Sequence, residues 1–120
     1  TQIRVPIPAP GSGWSYQKLK RKTGDYATAA TAVMLQMKGG TVASVGIALT
    51  NAGATALKAQ AAEAALIGKP INDATVNDAA RLAMSICEPS ADQRGDVAYK
   101  TAMCGEMTRR ALLAAHSRAK

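Results

Sequence analysis

The sequence is poor in aromatic residues and in the residue types that build metal sites. It has no phenylalanine, aromatic side chains make up 3% of the chain, and histidine occurs once, at His116. The two cysteines, Cys87 and Cys104, do not form a Cys-x-x-Cys pair, so we expect neither a structural zinc site nor an iron–sulfur cluster in this chain. We interpret them as free, buried thiols.

The usual motifs of catalysis and of phosphate binding are also missing. The chain contains no Walker loop, no GxGxxG, no GxSxG and no HExxH sequence. His116 lies among basic residues near the C-terminus without a partner that could orient it as a base, so we expect it to be solvated. The sequence therefore predicts no catalytic residue and no metal ligand.

Long apolar runs are absent as well. No stretch approaches the length needed to span a bilayer, and the N-terminus lacks a basic segment followed by an apolar one, so we predict a soluble chain without a transmembrane or targeting segment. What the chain does have is an excess of positive charge, with a net charge of +7 and an isoelectric point near 9.8. Such a charge fits nucleic acid, an anionic membrane surface or an acidic protein partner, and charge alone does not choose among them.

The N-terminal half shows the alternation of β-strands. Residues 1–10 alternate apolar and other residues, and Pro6 and Pro8 cannot donate to a ladder, which indicates an edge strand or an entering arm. Gly11–Trp14 is predicted to be a flexible turn. Ala27–Met37 is interpreted as a strand, because Gly39 and Gly40 after it are typical of a tight hairpin. In the strand after the hairpin the positions between the aliphatic residues are small, which suggests that something approaches that face closely.

The C-terminal half has helical periodicity. A first helix is predicted from Thr55 to about Gly68, with an inward stripe (Leu57, Ala61, Ala64, Ala65). A second follows the capping residues at 72–75 and stops before Glu88-Pro89, and a third begins after Asp96, with Tyr99, Met103, Met107 and Ala111 inward. Strands followed by helices predict an α+β fold, a two-layer sandwich of a small antiparallel sheet of three to four strands packed on three helices.

One stretch, Tyr16 to Val33, joins a cluster of cations to an apolar run through a Gly-Asp-Tyr sequence. A solvated surface loop is the plain interpretation of Lys18–Lys22. A nucleic-acid site would need aromatic residues interleaved on a groove-entering element, which this stretch lacks. The third alternative is a site for phosphate or an acidic partner beside Tyr26, whose ring could cover a planar heterocycle.

Several blocks of the sequence resemble one known family. YQKLKRKTGDYATAATAV, GGTVASVGIALTNAG, KAQAAEAALIGKPI and DQRGDVAYKTAMCGEMTRRAL are similar, in this order, to the C-terminal domain of the FAD-binding medium subunit of molybdenum hydroxylases, with aerobic carbon monoxide dehydrogenase as the nearest branch. The similarity spans about Ile3 to Leu113. It implies that residues 1–120 form a CO dehydrogenase flavoprotein C-terminal-like domain, an α+β sandwich that is a fragment of a larger subunit.

The resemblance also implies cofactors and partners. In this family electrons leave a molybdopterin centre on the large subunit, cross two 2Fe-2S clusters on the iron–sulfur small subunit, and reach FAD on the medium subunit. The flavin then passes them to a quinone or a similar acceptor. The complex is expected in the cytoplasm, with the inner face of the membrane left open as its place, and no nucleic-acid partner is expected.

Four residues would form the cofactor-binding part of this domain, by the same resemblance. Tyr26 would lie over one face of the isoalloxazine ring, Asp25 would shape its polar surroundings, and Lys18 and Arg21 would tune the flavin potential. The glycine-rich loops that hold the FAD pyrophosphate belong to N-terminal domains that have no counterpart here. The isolated domain is therefore not expected to bind FAD tightly or to catalyse a reaction.

The alternative is a free-standing basic interaction module that binds nucleic acid or an acidic protein. It rests on the charge of +7. It predicts binding that weakens steeply as salt rises.

Overall fold

The computed structural model describes residues 1–5, 7, 10–19, 29–53, 55–89 and 96–119. Their architecture is α+β, as predicted. Four strands come first in the chain and form one antiparallel sheet in the order β1-β2-β3-β4: β1 (Ser12–Leu19), β2 (Ala29–Lys38), β3 (Thr41–Thr50) and β4 (Leu57–Lys58). Three helices follow, α1 (Gln60–Leu66), α2 (Asp73–Ser85) and α3 (Val97–Arg118).

The hairpin predicted at the two glycines is confirmed. β2 and β3 pair antiparallel along their length, and Gly39 and Gly40 between them have φ of 62° and 81°, a region that glycine reaches without strain. Val33, Leu35, Ile47 and Leu49 are buried and supply the sheet's half of the core. The β-branched and aliphatic residues of these strands fit a pleated surface that is covered on one side.

Of the two alternatives for residues 1–10, an edge strand or an entering arm, the edge strand is not formed at the described positions. Ile3, Val5 and Ile7 are exposed and belong to no strand, since no neighbouring strand pairs with them. The first strand begins at Ser12 instead, so Ser12–Trp14 belong to β1 and not to a flexible turn as predicted. The pairing of β1 with β2, Ser12 with Gln36 through to Leu19 with Ala29, decides this, because β2 offers a free edge of matching length.

The helical half of the chain is partly as predicted. Leu57 and Lys58 form β4 rather than the start of the first helix, and α1 begins at Gln60 without a side-chain cap. Consequently the inward residues of α1 are Ala62 and Leu66, not the predicted stripe. The second helix is confirmed, with Asn72 and Thr75 forming a reciprocal capping box at its start.

Helix α3 is the largest helix and lies across the sheet. Asp96 caps its start by accepting a hydrogen bond from the Tyr99 backbone N–H at 2.7 Å. Met107 and Ala111 are buried as predicted, but the Tyr99 side chain is exposed. The helix packs against β1 and β2 on one side and against α2 on the other. Helix α1 packs against β3, and α2 packs against α1 and α3. The opposite face of the sheet has no helix of the described residues over it.

Candidate functional site

Of the four predicted site residues, the structure describes Lys18, which lies near one end of the sheet. Lys18 lies on β1, is exposed, and is paired in register with Ala30. Its Nζ lies 5.1 Å from the centroid of the Tyr16 ring, a distance at which the ring face attracts a cation. Lys18 thus belongs to a strand rather than to a loop, and an aromatic ring two residues away holds its ammonium group.

The other three predicted site residues, Arg21, Asp25 and Tyr26, lie outside the described residues. The connection to which they belong starts after Leu19 and ends before Ala29, and these two residues are register partners. Leu19 and Ala29 thus mark one end of the β1–β2 pair.

The face of the sheet that carries Lys18 is the one the helices leave open. Trp14 and Tyr16 project from β1 on this face, and their register partners on β2 are Met34 and Ala32. Trp14 is 58% exposed, and Tyr16 and Met34 are each 48% exposed. These are high values for large apolar side chains that stand side by side. We call this surface the outer face; its register positions on the long strands are 12, 14, 16, 18, 30, 32, 34, 36, 44, 46, 48 and 50.

A groove of about 600 Å³ crosses the outer face. Tyr16 and Trp14 form one wall, Leu57 and Lys58 line the opposite side, and small residues such as Gly46 form the floor. The small residues between the aliphatic positions of β3 led to the prediction that another group approaches this face closely. Nothing in the described part of the chain does so, since a Cβ added at Gly46 would meet no atom within 4 Å.

The position of the outer face is set by close contact between β1 and the last turns of α3. A Cβ added at Gly13 would lie 1.9 Å from the Ala115 carbonyl oxygen, so only glycine allows the helix to come this close. At the same contact the Arg118 guanidinium donates to the Trp14 carbonyl oxygen at 2.7 Å and stacks 4.7 Å from the centre of the Trp14 ring. The C-terminal end of α3 thereby orients the tryptophan.

The basic residues near the C-terminus make contacts within the domain. Glu106 binds Arg109 through Nη2 at 2.7 Å and Arg110 through Nε at 2.7 Å. These hydrogen bonds lower the pKa of the Glu106 carboxyl to about 2. With Arg118 engaged at Trp14, this cluster does not present the free row of cations that a phosphate backbone would require. His116 is exposed, as expected from the sequence.

The two cysteines are both free, and they differ in exposure. Cys104 is buried on α3, whereas Cys87, just after α2, is only half-buried. The Cys104 thiol hydrogen-bonds Cys87, which lowers the pKa of Cys87 and raises that of Cys104. Within the described residues no three His, Cys, Asp or Glu side chains come together as a metal site, and none of the helices in those ranges has the length and hydropathy to cross a membrane.

Sequence and structure comparisons agree on what this chain is similar to. Residues 14–115 match the family model of the CO dehydrogenase flavoprotein C-terminal domain. The carbon monoxide dehydrogenase medium chain of Hydrogenophaga pseudoflava is 52% identical over 117 residues, which are 98% of this chain and 41% of that protein. The corresponding medium chain of Afipia carboxidovorans is 47% identical over 120 residues, which are 100% of this chain and 42% of that protein.

A solved structure shows the same fold. It is that of carbon monoxide dehydrogenase from Hydrogenophaga pseudoflava lacking the Mo-pyranopterin moiety of the molybdenum cofactor, and it superposes with a TM-score of 0.95 at 57% identity. The match covers 97% of this chain and 40% of that one. The chain thus spans about two-fifths of the length of the relatives that it matches.

Proposed function

The chain belongs to the CO dehydrogenase flavoprotein C-terminal domain family, and we propose that it is the flavin-covering domain in the medium chain of a molybdenum hydroxylase that oxidises carbon monoxide. The observation that carries this is the 52% identity to a carbon monoxide dehydrogenase medium chain over 98% of the residues. The alternative, a free-standing nucleic-acid-binding or acidic-protein-binding module, has no such support. Arg109 and Arg110 near the C-terminus are paired with Glu106, and Arg118 donates to the Trp14 carbonyl oxygen.

Within this proposal the domain contributes side chains to one end of an FAD site. Tyr26 covers a face of the isoalloxazine ring, and Asp25 and Arg21 border it. Lys18 fits such a site. Its ammonium group lies beside the Tyr16 ring, on a face without carboxylates at its register positions. A cation placed there suits the flavin ring, which gains negative charge on reduction. When bound, FAD would supply the transfer of electrons to an acceptor.

The domain would not hold FAD by itself. None of the described glycines belongs to a phosphate-binding loop, and Gly39 and Gly40 form the turn of the β2–β3 hairpin. We therefore assign the pyrophosphate contacts to further domains of the medium chain. Catalysis at molybdenum and electron transfer through 2Fe-2S clusters would belong to the large and small subunits, with a quinone or a similar molecule as acceptor and the cytoplasm as location.

The test is substitution of Tyr26 in the complete medium chain. Tyr26→Ala should alter the flavin absorption spectrum and slow flavin turnover, whereas Tyr26→Phe should keep the ring and largely preserve both. Tyr99→Ala serves as the matched control, since Tyr99 is exposed on α3. Lys18→Gln should lower the flavin reduction potential, because loss of a positive charge disfavours the reduced form. An unchanged spectrum, potential and turnover in Tyr26→Ala would refute the flavin-covering role.

A further inference from the structure

The outer face has the composition of a covered surface rather than a solvated one. An antiparallel sheet with one face in water normally carries polar side chains on that face. Here the central positions of three strands are apolar instead; on the face they are Trp14, Tyr16, Ala32, Met34 and Ala48. A contiguous apolar patch of this kind marks an interaction site, and tryptophan and tyrosine are the residues that most often dominate such contacts.

Gly46 gives independent evidence that something packs against this face. A glycine inside a strand costs roughly 0.5–1 kcal/mol relative to alanine. No described contact or backbone angle requires glycine at position 46, because its φ is not positive and an added Cβ would have open space around it. Glycine at such a position is typical of a strand that another backbone approaches closely. The approaching group must come from outside the described residues.

The lining of the groove favours a protein surface over a small ligand. Small-molecule sites combine apolar walls with a few polar groups that fix the ligand's orientation. The floor at Gly46 and Ala48 offers no polar side chain, and the Ser15 hydroxyl lies on the buried side, where Gln17 donates to it at 2.8 Å. Among the described residues that line the groove, Lys58, at one edge, is the only charged one. A broad, shallow apolar floor of this kind suits interdigitating side chains of a folded partner.

Charge restricts the partner further. The outer face carries Lys18 on β1 and Lys58 on β4, and the Arg118 guanidinium lies against the Trp14 ring. No register position of the four strands on this face holds a carboxylate. Lys58 is already paired with Glu63 at 2.9 Å, whereas the ammonium of Lys18 has a ring as its neighbour. The complementary surface is therefore apolar in its centre, with a carboxylate facing Lys18.

From these observations we infer that the outer face is the surface on which this domain docks against the rest of its own medium chain. The inference rests on the proposed function, because the relatives carry this domain as about two-fifths of a longer chain. A tethered partner is present at a high effective concentration, so a groove of this size suffices for stable docking. Docking there brings the remainder of the chain close to Lys18, one of the residues proposed to border the flavin.

Hydroxyl-radical footprinting read by mass spectrometry tests this on the complete medium chain, purified as a monomer, and on the assembled complex. Each residue is normalised to its own rate in the unfolded chain. Trp14 is 58% and Tyr16 48% exposed in the domain, so burial by docking should lower their modification about fivefold in the monomeric medium chain. Tyr99, 45% exposed on α3, is the internal reference and should stay reactive.

A substitution on the floor sharpens the test. Gly46→Leu places a side chain in the groove, and its Cβ has no described atom within 4 Å, so the domain should fold and its helix content should not change. In the complete medium chain it should restore the modification of Trp14 and Tyr16 severalfold. Ala61→Leu, which adds the same side chain at an exposed position of α1, should leave their protection intact.

The outcomes separate the possible occupants. Protection of Trp14 in the monomeric medium chain, lost in Gly46→Leu, supports the inference. Protection that arises only in the assembled complex would overturn it in favour of another subunit, and protection only in a dimer of the medium chain would overturn it in favour of a second copy. A chain that binds flavin and responds to Tyr26→Ala while Trp14 stays reactive refutes this inference alone. Protection of Trp14 without flavin binding refutes the proposed function alone.

Discussion

Gly13→Ala is the substitution whose effect the structure defines most sharply. The new Cβ would lie 1.9 Å from the Ala115 carbonyl oxygen and 2.7 Å from the Ala119 amide nitrogen. Both are backbone atoms of the end of α3, so no side-chain rotation relieves the clash. The helix would have to withdraw from β1 by about 1 Å to reach an acceptable contact.

Withdrawal of α3 opens packing that the core depends on. Ala111, Leu112 and Ala115 are all buried beneath the sheet, and overpacking of such a contact costs about 1–3 kcal/mol. The hydrogen bond from Arg118 to the Trp14 carbonyl oxygen stretches at the same time, and a bond to a charged group is worth about 1.5 kcal/mol. Because Arg118 is exposed, we take the total as about 3 kcal/mol, which corresponds to a fall of roughly 10 °C in melting temperature.

The assay is urea and thermal unfolding of the 120-residue chain, followed by circular dichroism. Gly46→Ala is the matched control: it is the same substitution in a strand of the same sheet, but the new Cβ meets nothing within 4 Å. It should leave stability unchanged or raise it by about 0.5 kcal/mol. Equal melting temperatures for Gly13→Ala and wild type would refute the close approach of α3 to β1.

Three further predictions concern buried hydroxyls, acid stability and thiol reactivity. The Thr108 hydroxyl donates to the Cys104 carbonyl oxygen at 2.8 Å and lies 3.2 Å from the Thr31 hydroxyl. Thr108→Val should lower the free energy of unfolding by about 1–3 kcal/mol, because it leaves the Thr31 hydroxyl unpaired. Replacing both threonines by valine should lower it by less than the sum of the two single effects, which a double-mutant cycle in urea would measure. The pKa of Glu106 is lowered to about 2, so its ion pairs stabilise the fold above the ordinary carboxyl pKa, and this stability is lost as pH falls through 2. Glu106→Gln should therefore reduce the loss of unfolding free energy between pH 4.5 and 2 by less than about 1 kcal/mol. An equally steep loss in the variant would refute this role of Glu106. Cys87, whose pKa the Cys104 thiol lowers, should react first with iodoacetamide at pH 8, and Cys104→Ala should slow that reaction, as mass spectrometry of the folded chain would show.

Turns and helix caps in this chain are determined by residues that are close in sequence. The hairpin at Gly39-Gly40 and the helix that starts at Asn72 were both predicted correctly, because the residues that determine them are neighbours in the chain. The edge strand, one of the two alternatives for residues 1–10, is not formed at the described positions for the opposite reason. Its alternation meets the pattern of a strand, but a strand also needs a partner with a free edge, and that edge of β2 is taken by Ser12–Leu19.

The candidate site divides in the same way. The sequence alone identified the stretch from Tyr16 onward as a candidate site. It also showed the resemblance to the flavoprotein family, because that resemblance depends on blocks of residues that match in order. It did not reveal that Lys18 shares a face with Trp14 and Met34, nor that Gly13 is needed for the passage of α3. Contacts such as that between Arg118 and Trp14 join residues from opposite ends of the chain. The sequence by itself determined the family, the α+β class and the local turns and caps; only the tertiary structure decided which strand edge is used and which face stays open, because both depend on pairings between distant segments.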